Sequence, residues 1–407
     1  MQLPAKVADL LSTLNSAGHE AYVVGGCVRD TLMSRPPGDF DITTSATPQQ
    51  VKALFRRTVD TGIAHGTVTV LMGSKSYEVT TFRLDGEYTD NRRPNSVTFT
   101  SSLPDDLSRR DFTMNAIAYH PDTGFVDPFV GTSDIAAGYV RCVGDPSRRF
   151  SEDALRMLRA VRFSAQLGFA IEPDTFGAIT QHAHTLANVS AERICVELVK
   201  LLCSEGTDRF SDLLATGLWQ AADPPSLAYF AEHFHRTKPL LTACDPNINN
   251  RLSLLLLHMD GSDVTRFLKR FKFSNQTIKT VCILVDGASR TFSTDVYSVR
   301  KALGFFGREL LENILYIQQI VASEAASHAS PADIVEVLHQ IDIIHSNGDA
   351  YTIGALAIDG NTLKRLGFSE GAKIGAALNR LLDEVCRDPL LNQPDKLTTL
   401  ALQLKNN

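Results

Sequence analysis

A change of hydrophobic period near residue 150 constrains this chain most. Upstream, short strand-like runs at residues 21–24, 39–43, 67–72, 77–82 and 96–100 alternate with Gly, Pro and Asp clusters. Val7, Leu10, Leu11 and Leu14 recur at helical spacing before them, Gly18 can stop that helix, and residues 48–55 read as a second one. From Ser151 onward the apolar residues keep helical spacing almost without interruption. Breaks fall at Pro224-Pro225, Asp286-Gly287 and Ser346-Asn347-Gly348. Strands need a period of two and helices one of about 3.6, so the two stretches fold differently. The expectation is an α+β head, a small mixed sheet with helices, over residues 1–145. An elongated all-helical neck (146–205), body (206–330) and tail (331–407) follow it.

Composition narrows the classes of function. The net charge is −6, so no overall positive field advertises a nucleic-acid partner, and any polyanion must be met by local basic patches. Seven scattered cysteines, odd in number and never spaced as Cys-x-x-Cys, argue against a disulfide framework or zinc knuckle and for a reducing cytoplasm. The most apolar stretch, residues 252–259, is far short of the ~18 residues that span a bilayer. A cytoplasmic chain with no membrane partner is expected.

Three features of the head carry chemistry. Tyr22-Val-Val-Gly-Gly-Cys-Val-Arg-Asp30 runs from a strand through Gly25 and Gly26 into a short helix. Glycines there let backbone approach a phosphate, and Arg29 adds a forked cation. Next, Asp39 and Asp41 stand two residues apart, on one face of a strand, with Phe40 and Ile42 turned to the core. Two acids so close repel unless a cation lies between them, and hard oxygen donors suit Mg²⁺ bound together with substrate phosphates. An isolated Asp-x-Asp is most simply a solvated strand edge. The upstream Gly-Gly-x-x-Arg turns the reading toward a nucleotidyl-transfer site. Glu78, alternating with apolar neighbours, brings a third carboxylate from another strand or simply lines a wet sheet face.

The ordered set Gly25-Gly-x-x-Arg29-Asp30, Asp39-x-Asp41, Glu78, Arg109-Arg-Asp-Phe-Thr-Met-Asn115 and Glu152-Asp-x-x-Arg-x-x-Arg-x-x-Arg-Phe163 resembles the bacterial-type class II CCA-adding tRNA nucleotidyltransferases. Leu366-Gly-x-x-x-Gly-x-x-Ile-Gly375 is similar to their tail. The resemblance implies template-independent addition of CMP, CMP and AMP to the tRNA 3′ end from CTP and ATP, by two-metal transfer. It assigns catalysis to Asp39, Asp41 and Glu78, the metal (Mg²⁺) to Asp39 and Asp41, and nucleotide binding to Gly26, Arg29, Arg110, Asp153, Arg156, Arg159 and Arg162. Arg109 is left as a solvated residue or a partner of Asp111, and the apolar run Phe112–Tyr119 behind it reads as helix-like. Dimer formation is left open.

Residues 151–163 read as one helix capped by Ser151, with Phe150 and Leu155 as a staple. Asp153, Arg156, Arg159 and Arg162 step by three along it, with no acid among the arginines. Cytosine and adenine each offer an exocyclic amine beside a ring-nitrogen acceptor, whereas uracil and guanine offer the reverse. An acceptor (Asp153) beside a donor (Arg156) therefore admits CTP and ATP and rejects the others. Arg159 and Arg162 are expected at the triphosphate or in orienting this couple. Ser190, Arg193 and Glu197 are read as structural. The polar stretch 85–94, with Arg92-Arg93-Pro94, matches a loop that the family uses to switch from CTP to ATP. Nine Lys or Arg against four acids over residues 263–309 suggest a surface for the tRNA acceptor arm. The competing readings are a poly(A) polymerase, a partial CC- or A-adding enzyme, and a catalytically silent RNA-binding protein.

Overall fold

The computed structural model describes residues 1–86, 97–322, 330–369 and 371–406, so residues 87–94 of the polar loop, with Arg92-Arg93-Pro94, lie outside the described residues. The chain divides into two compact units. One comprises residues 1–238 with 270–272, the other residues 239–269 with 273–407.

The first unit opens with α1 (Ala5–Ser16), β1 (Ala21–Val24), α2 (Gly26–Leu32), β2 (Asp41–Thr44) and α3 (Pro48–Leu54). Then come β3 (Thr58–Gly62), β4 (Thr67–Met72), β5 (Lys75–Thr81), β6 (Arg83–Asp85) and β7 (Val97–Phe99). Next are α4 (Leu103–Ser108), β8 (Ala118–His120), β9 (Gly124–Val126), α5 (Gly131–Ala137) and β10 (Tyr139–Val140). Helices α6 (Pro146–Glu152) and α7 (Leu155–Leu167), strand β11 (Ala170–Ile171), and helices α8 (Pro173–His182) and α9 (Ala191–Leu202) lead into the helical part of the unit.

Seven strands form one mixed sheet in the order β3-β4-β5-β2-β1-β8-β9, with β2 and β5 parallel and the other neighbours antiparallel. The apolar stripe of α1 (Val7, Leu10, Leu11, Leu14) packs with Val23, Ile42, Val68, Val70 and Val79 in one core. Thr47 caps α3 through a capping box with Gln50 and has Pro48 behind it, which fixes where that helix starts. A second core joins Val24 and Phe82 to Leu103, Leu107, Ala116 and Val143, placing α4 against the end of the sheet where the acids lie.

Several local expectations fail: Asp286-Gly287, expected as a break, lies inside the helix Asn275–Ala288, and Asp39 precedes β2 instead of sharing a strand face with Asp41. Residues 112–119 are not a helix. Phe112 bridges to Cys142, a single 3₁₀ turn spans Thr113–Asn115, and Ala118–His120 joins the sheet. The run is apolar because it is buried on all sides, which erases the periodicity that separates strand from helix. Nor does a helix start at Glu152. Asp145 caps α6 by accepting from the Ser147 N–H at 3.0 Å, with Pro146 at the first helical position. Ser151 lies inside α6, its hydroxyl donating to the Arg148 carbonyl at 2.8 Å. The helix ends at Glu152. Asp153 is extended (φ −141°, ψ 105°), and its Oδ1 accepts the Leu155 N–H at 3.1 Å to start α7. Asp153 therefore sits in a joint between two helices.

Beyond α9, Phe210, Trp219, Phe230, Phe234 and Phe271 form an aromatic cluster in the same unit. The described part of the second unit is helical, with one core around Val299, Leu311, Val337 and Ile341 and another around Leu363, Leu381, Val385 and Leu397.

The start of α5 packs on the 3₁₀ turn with no space between them: a Cβ on Gly131 would stand 2.2 Å from the Thr113 carbonyl oxygen. Gly131→Ala should cost about 2–3 kcal/mol and lower the urea unfolding midpoint. A midpoint equal to that of the parent would contradict this packing.

Candidate active site

Sheet register places the acids. Asp41 begins β2 opposite Val24, the last residue of β1, and Ile42 pairs with Val79 of the parallel β5. Glu78 is thus level with Asp41 on the neighbouring strand, on the same face. Asp39 lies two residues before β2 and lines a cavity of about 650 Å³ with Phe40, Lys75 and Tyr77. The Asp41 carboxyl is pushed above its ordinary pKa, first by desolvation and then by repulsion from Glu78 and Asp39, against the opposing pull of Arg110. Asp41 remains accessible to solvent. Such a set of mutually repelling acids is relieved by a cation. Among the described residues, no three or more His, Cys, Asp or Glu side chains could hold a metal ion by themselves.

Gly25 follows β1 with φ +85°, a conformation that favours glycine. A Cβ there would meet Arg110 Nη1 at 3.4 Å and Asp41 Oδ2 at 4.0 Å, so turn, acid and cation converge. Arg110 is aimed by Asp106, a fully buried carboxylate. Asp106 accepts from Thr43 Oγ1 at 3.0 Å, from Arg109 Nε and Nη2 at 3.0 and 2.7 Å, and from Arg110 Nη2 at 3.4 Å. Burial alone would raise the Asp106 pKa, but Arg109 and Arg110 hold it below the ordinary value. Arg109 thus pairs with Asp106, not Asp111. Sequence reasoning missed Asp106, although an acid three and four residues before a double arginine is a helical pairing signal.

Asp111 faces the other way. Its Oδ2 accepts from Arg159 Nε and Nη2 at 2.9 and 2.6 Å, and its Oδ1 from Asn115 Nδ2 at 3.1 Å. Asn115 Oδ1 in turn accepts from Arg29 Nη1 at 2.8 Å, while Arg29 Nε and Nη2 bond Asp30. Arg29 is buried, and its fork is turned into the floor of the site. The Phe163 ring gathers three guanidiniums: Arg162 at 3.6 Å, Arg29 at 5.1 Å and Arg159 at 5.3 Å from its centroid.

The arginine stripe is paired with acids from other elements. Arg156 donates to Glu152 at 2.7 Å and to the Arg149 and Arg109 carbonyls at 3.1 and 2.9 Å. Arg162 is held by Glu197, which also stands 3.9 Å from Arg159. Asp153 accepts from Arg193 Nη2 at 2.8 Å and adds to the field that raises the Arg159 pKa. An unbroken charge network therefore runs from Asp41 through Arg110, Asp111 and Arg159 to Asp153.

The basic stretch 263–309 is mostly neutralised internally. Arg300 is buried against Asp349 at 2.8 Å, and Arg266, Arg290, Lys301 and Arg308 pair with Asp263, Asp286, Asp383 and Glu312. Arg270 belongs to the first unit, bonded to Asp223. Six of the nine basic side chains of the stretch thus have an acid partner.

A head with this topology and acid placement is that of a nucleotidyltransferase: the family model described as "Poly A polymerase head domain" matches residues 21–141. Models for an RNA-binding region of polymerase A and for tRNA nucleotidyltransferase domain 2 match residues 168–227 and 248–401. The CCA-adding enzymes of Levilactobacillus brevis and Lactobacillus helveticus are 40% and 38% identical over 397 and 399 residues, covering 95% and 96% of this chain and 95% of each relative. The structure of the Bacillus stearothermophilus CCA-adding enzyme in complex with CTP is similar at a TM-score of 0.84 and 32% identity, covering 100% of this chain and 98% of the other. The chain belongs to the CCA-adding enzyme family, whose nucleotidyl transfer is metal-dependent. Among the described residues no helix is long and apolar enough to cross a membrane.

Burial alone would raise the Asp111 pKa, yet Arg159 and the Asn115 amide hold it far below the ordinary range. A depressed carboxyl contributes stability above its unfolded value near pH ~4, and that contribution is lost as pH falls toward the folded value. The parent should exceed Asp111→Asn in urea midpoint at neutral pH, with the gap narrowing below about pH 4. A gap independent of pH would contradict this.

Proposed function

We propose that this chain adds cytidine, cytidine and adenosine to the 3′ end of tRNA, without a nucleic-acid template, from CTP and ATP. The observation that carries the reading is 40% identity with a CCA-adding enzyme over 95% of both chains. The terminal ribose hydroxyl attacks the α-phosphorus, the new O–P bond forms as the bond to the β-phosphate oxygen breaks, and pyrophosphate leaves. Asp39 and Asp41 would hold Mg²⁺, and their mutual repulsion with Glu78 supports that fit. The ion supplies charge neutralisation at the transferring phosphate. Glu78, level with Asp41, would serve as a second-metal ligand or align the attacking hydroxyl. Gly25 and Gly26 let backbone approach the triphosphate, and Arg110, held by Asp106, neutralises charge developing on the leaving group.

Asp153 and Arg156 read the base. Asp153 accepts from the exocyclic amine of cytosine or adenine, and Arg156, fixed by Glu152 and two backbone carbonyls, donates to the ring nitrogen. A wrong base leaves two desolvated groups unpaired, at ~1–3 kcal/mol each. Arg159 and Arg162 orient that couple, and Arg29 supports the floor beneath the triphosphate. Residues 1–145 form the catalytic head and 146–205 the base-selecting neck, while 206–330 and 331–407 carry tRNA. All seven cysteines are free, which fits a reducing cytoplasm.

Incubated with Mg²⁺, CTP, ATP and a tRNA lacking its 3′ end, the protein should add three residues and stop. A long adenylate tail or no extension would refute the reading. Asp41→Asn should lower the rate by about 10²–10³-fold at unchanged urea midpoint. Asp153→Ala should erase the preference for C and A while Mg²⁺ dependence persists. Unaltered selectivity would remove Asp153 from the base-reading role.

A further inference from the structure

We propose that Arg193, on α9, is a positioning residue that aims the Asp153 carboxylate at the incoming base and so sets nucleotide selectivity. This rests on the reading of Asp153 as the base acceptor.

Three observations lead there. First, Asp153 occupies an extended joint outside both α6 and α7, so no helix fixes its side chain. Its Oδ1 is taken by the Leu155 N–H, which leaves Oδ2 as the oxygen to be aimed. Second, Oδ2 accepts from Arg193 Nη2 at 2.8 Å, a charge-assisted bond that reaches 40 residues along the chain. Third, Arg193 Nη1 is buried and has no hydrogen-bond partner among the described residues. A buried donor left unmade is costly.

The geometry of α9 explains why Arg193 can do this. Glu197, one turn further along, holds Arg162 and stands beside Arg159, so α9 grips α7 through an acid and the preceding joint through a base. Without Arg193, Asp153 still feels the charge of Arg159, which is already committed to Asp111. Turned toward it, the carboxylate would leave the orientation needed for an exocyclic amine. Selectivity is then set by a helix outside the segment that reads the base.

The test compares kcat/KM for CTP with that for UTP, on a tRNA lacking its 3′ end, for the parent, Arg193→Ala, Arg193→Lys and Asp153→Ala. Arg193→Ala should lower the CTP-over-UTP ratio by about tenfold or more, mostly through KM for CTP, and Arg193→Lys should recover part of it by restoring one donor. A parental ratio in Arg193→Ala overturns the proposal. So does an equal loss of kcat for both nucleotides, the signature of general disruption. If Arg193→Ala does not fold, Arg193→Lys must still show a ratio several-fold below the parent, and a parental ratio there overturns the proposal. Asp153→Ala separates the two claims. Lost selectivity in Asp153→Ala with parental selectivity in Arg193→Ala defeats only the role of Arg193. Parental selectivity in Asp153→Ala defeats the base-reading assignment itself.

Discussion

The bidentate bond between Asp111 and Arg159 is the constraint on which the site depends. Asp111 follows directly on Arg110, which faces Asp41, while Arg159 lies one turn of α7 beyond Arg156. The Asp111 and Arg159 side chains are 10% and 32% exposed, so removing the arginine would strand a mostly buried carboxylate at about 3–5 kcal/mol. That cost makes the pair poor as a stabilising device but good at fixing relative position. It ties the segment that would meet the triphosphate to the helix that would meet the base.

Around this bond the charged side chains divide their work by depth. Asp106 and Glu197 are buried, Asp111 is mostly so, and all three act as sockets for arginines. Asp39, Asp41 and Glu78 face solvent and repel one another, which is the unsatisfied arrangement a cation and phosphates would complete. Arg29, Arg159 and Arg162 all lie within 5.3 Å of the centroid of the Phe163 ring, so three like charges are held close around one aromatic side chain and by the separate acids Asp30, Asp111 and Glu197.

Much of this was legible in the sequence where the signal was local. Thr67–Met72 and Ala21–Val24 alternate or sit between clear turn residues, and both strands lie where period and punctuation place them. Asp39, Asp41 and Glu78 announced themselves as acids set into apolar runs. What stayed hidden depends on partners distant in the chain. Residues 112–119 are apolar on every side because a sheet and two helices bury them, and no period survives that. Arg159 and Arg162 looked unpaired because Asp111 and Glu197 arrive from 48 and 35 residues away, whereas the partner of Arg156, Glu152, was in view four residues before it. Ser151 is a good cap by composition, yet Asp145-Pro146 starts a helix earlier and leaves the break at Asp153. Much of the positive excess over residues 263–309 is offset for the same reason, since Asp383 comes from a later helix and Asp349 from just beyond the end of another.

A double-mutant cycle at Asp111 and Arg159, read as kcat/KM for CTP addition, tests the coupling most directly. If the bond holds triphosphate and base sites in register, Asp111→Asn, Arg159→Gln and the double variant should be impaired to a similar degree, with an interaction energy above about 1.5 kcal/mol. Effects that add to within about 0.5 kcal/mol would mean the two residues act independently, and the head and the base-reading helix would not form one site through this bond.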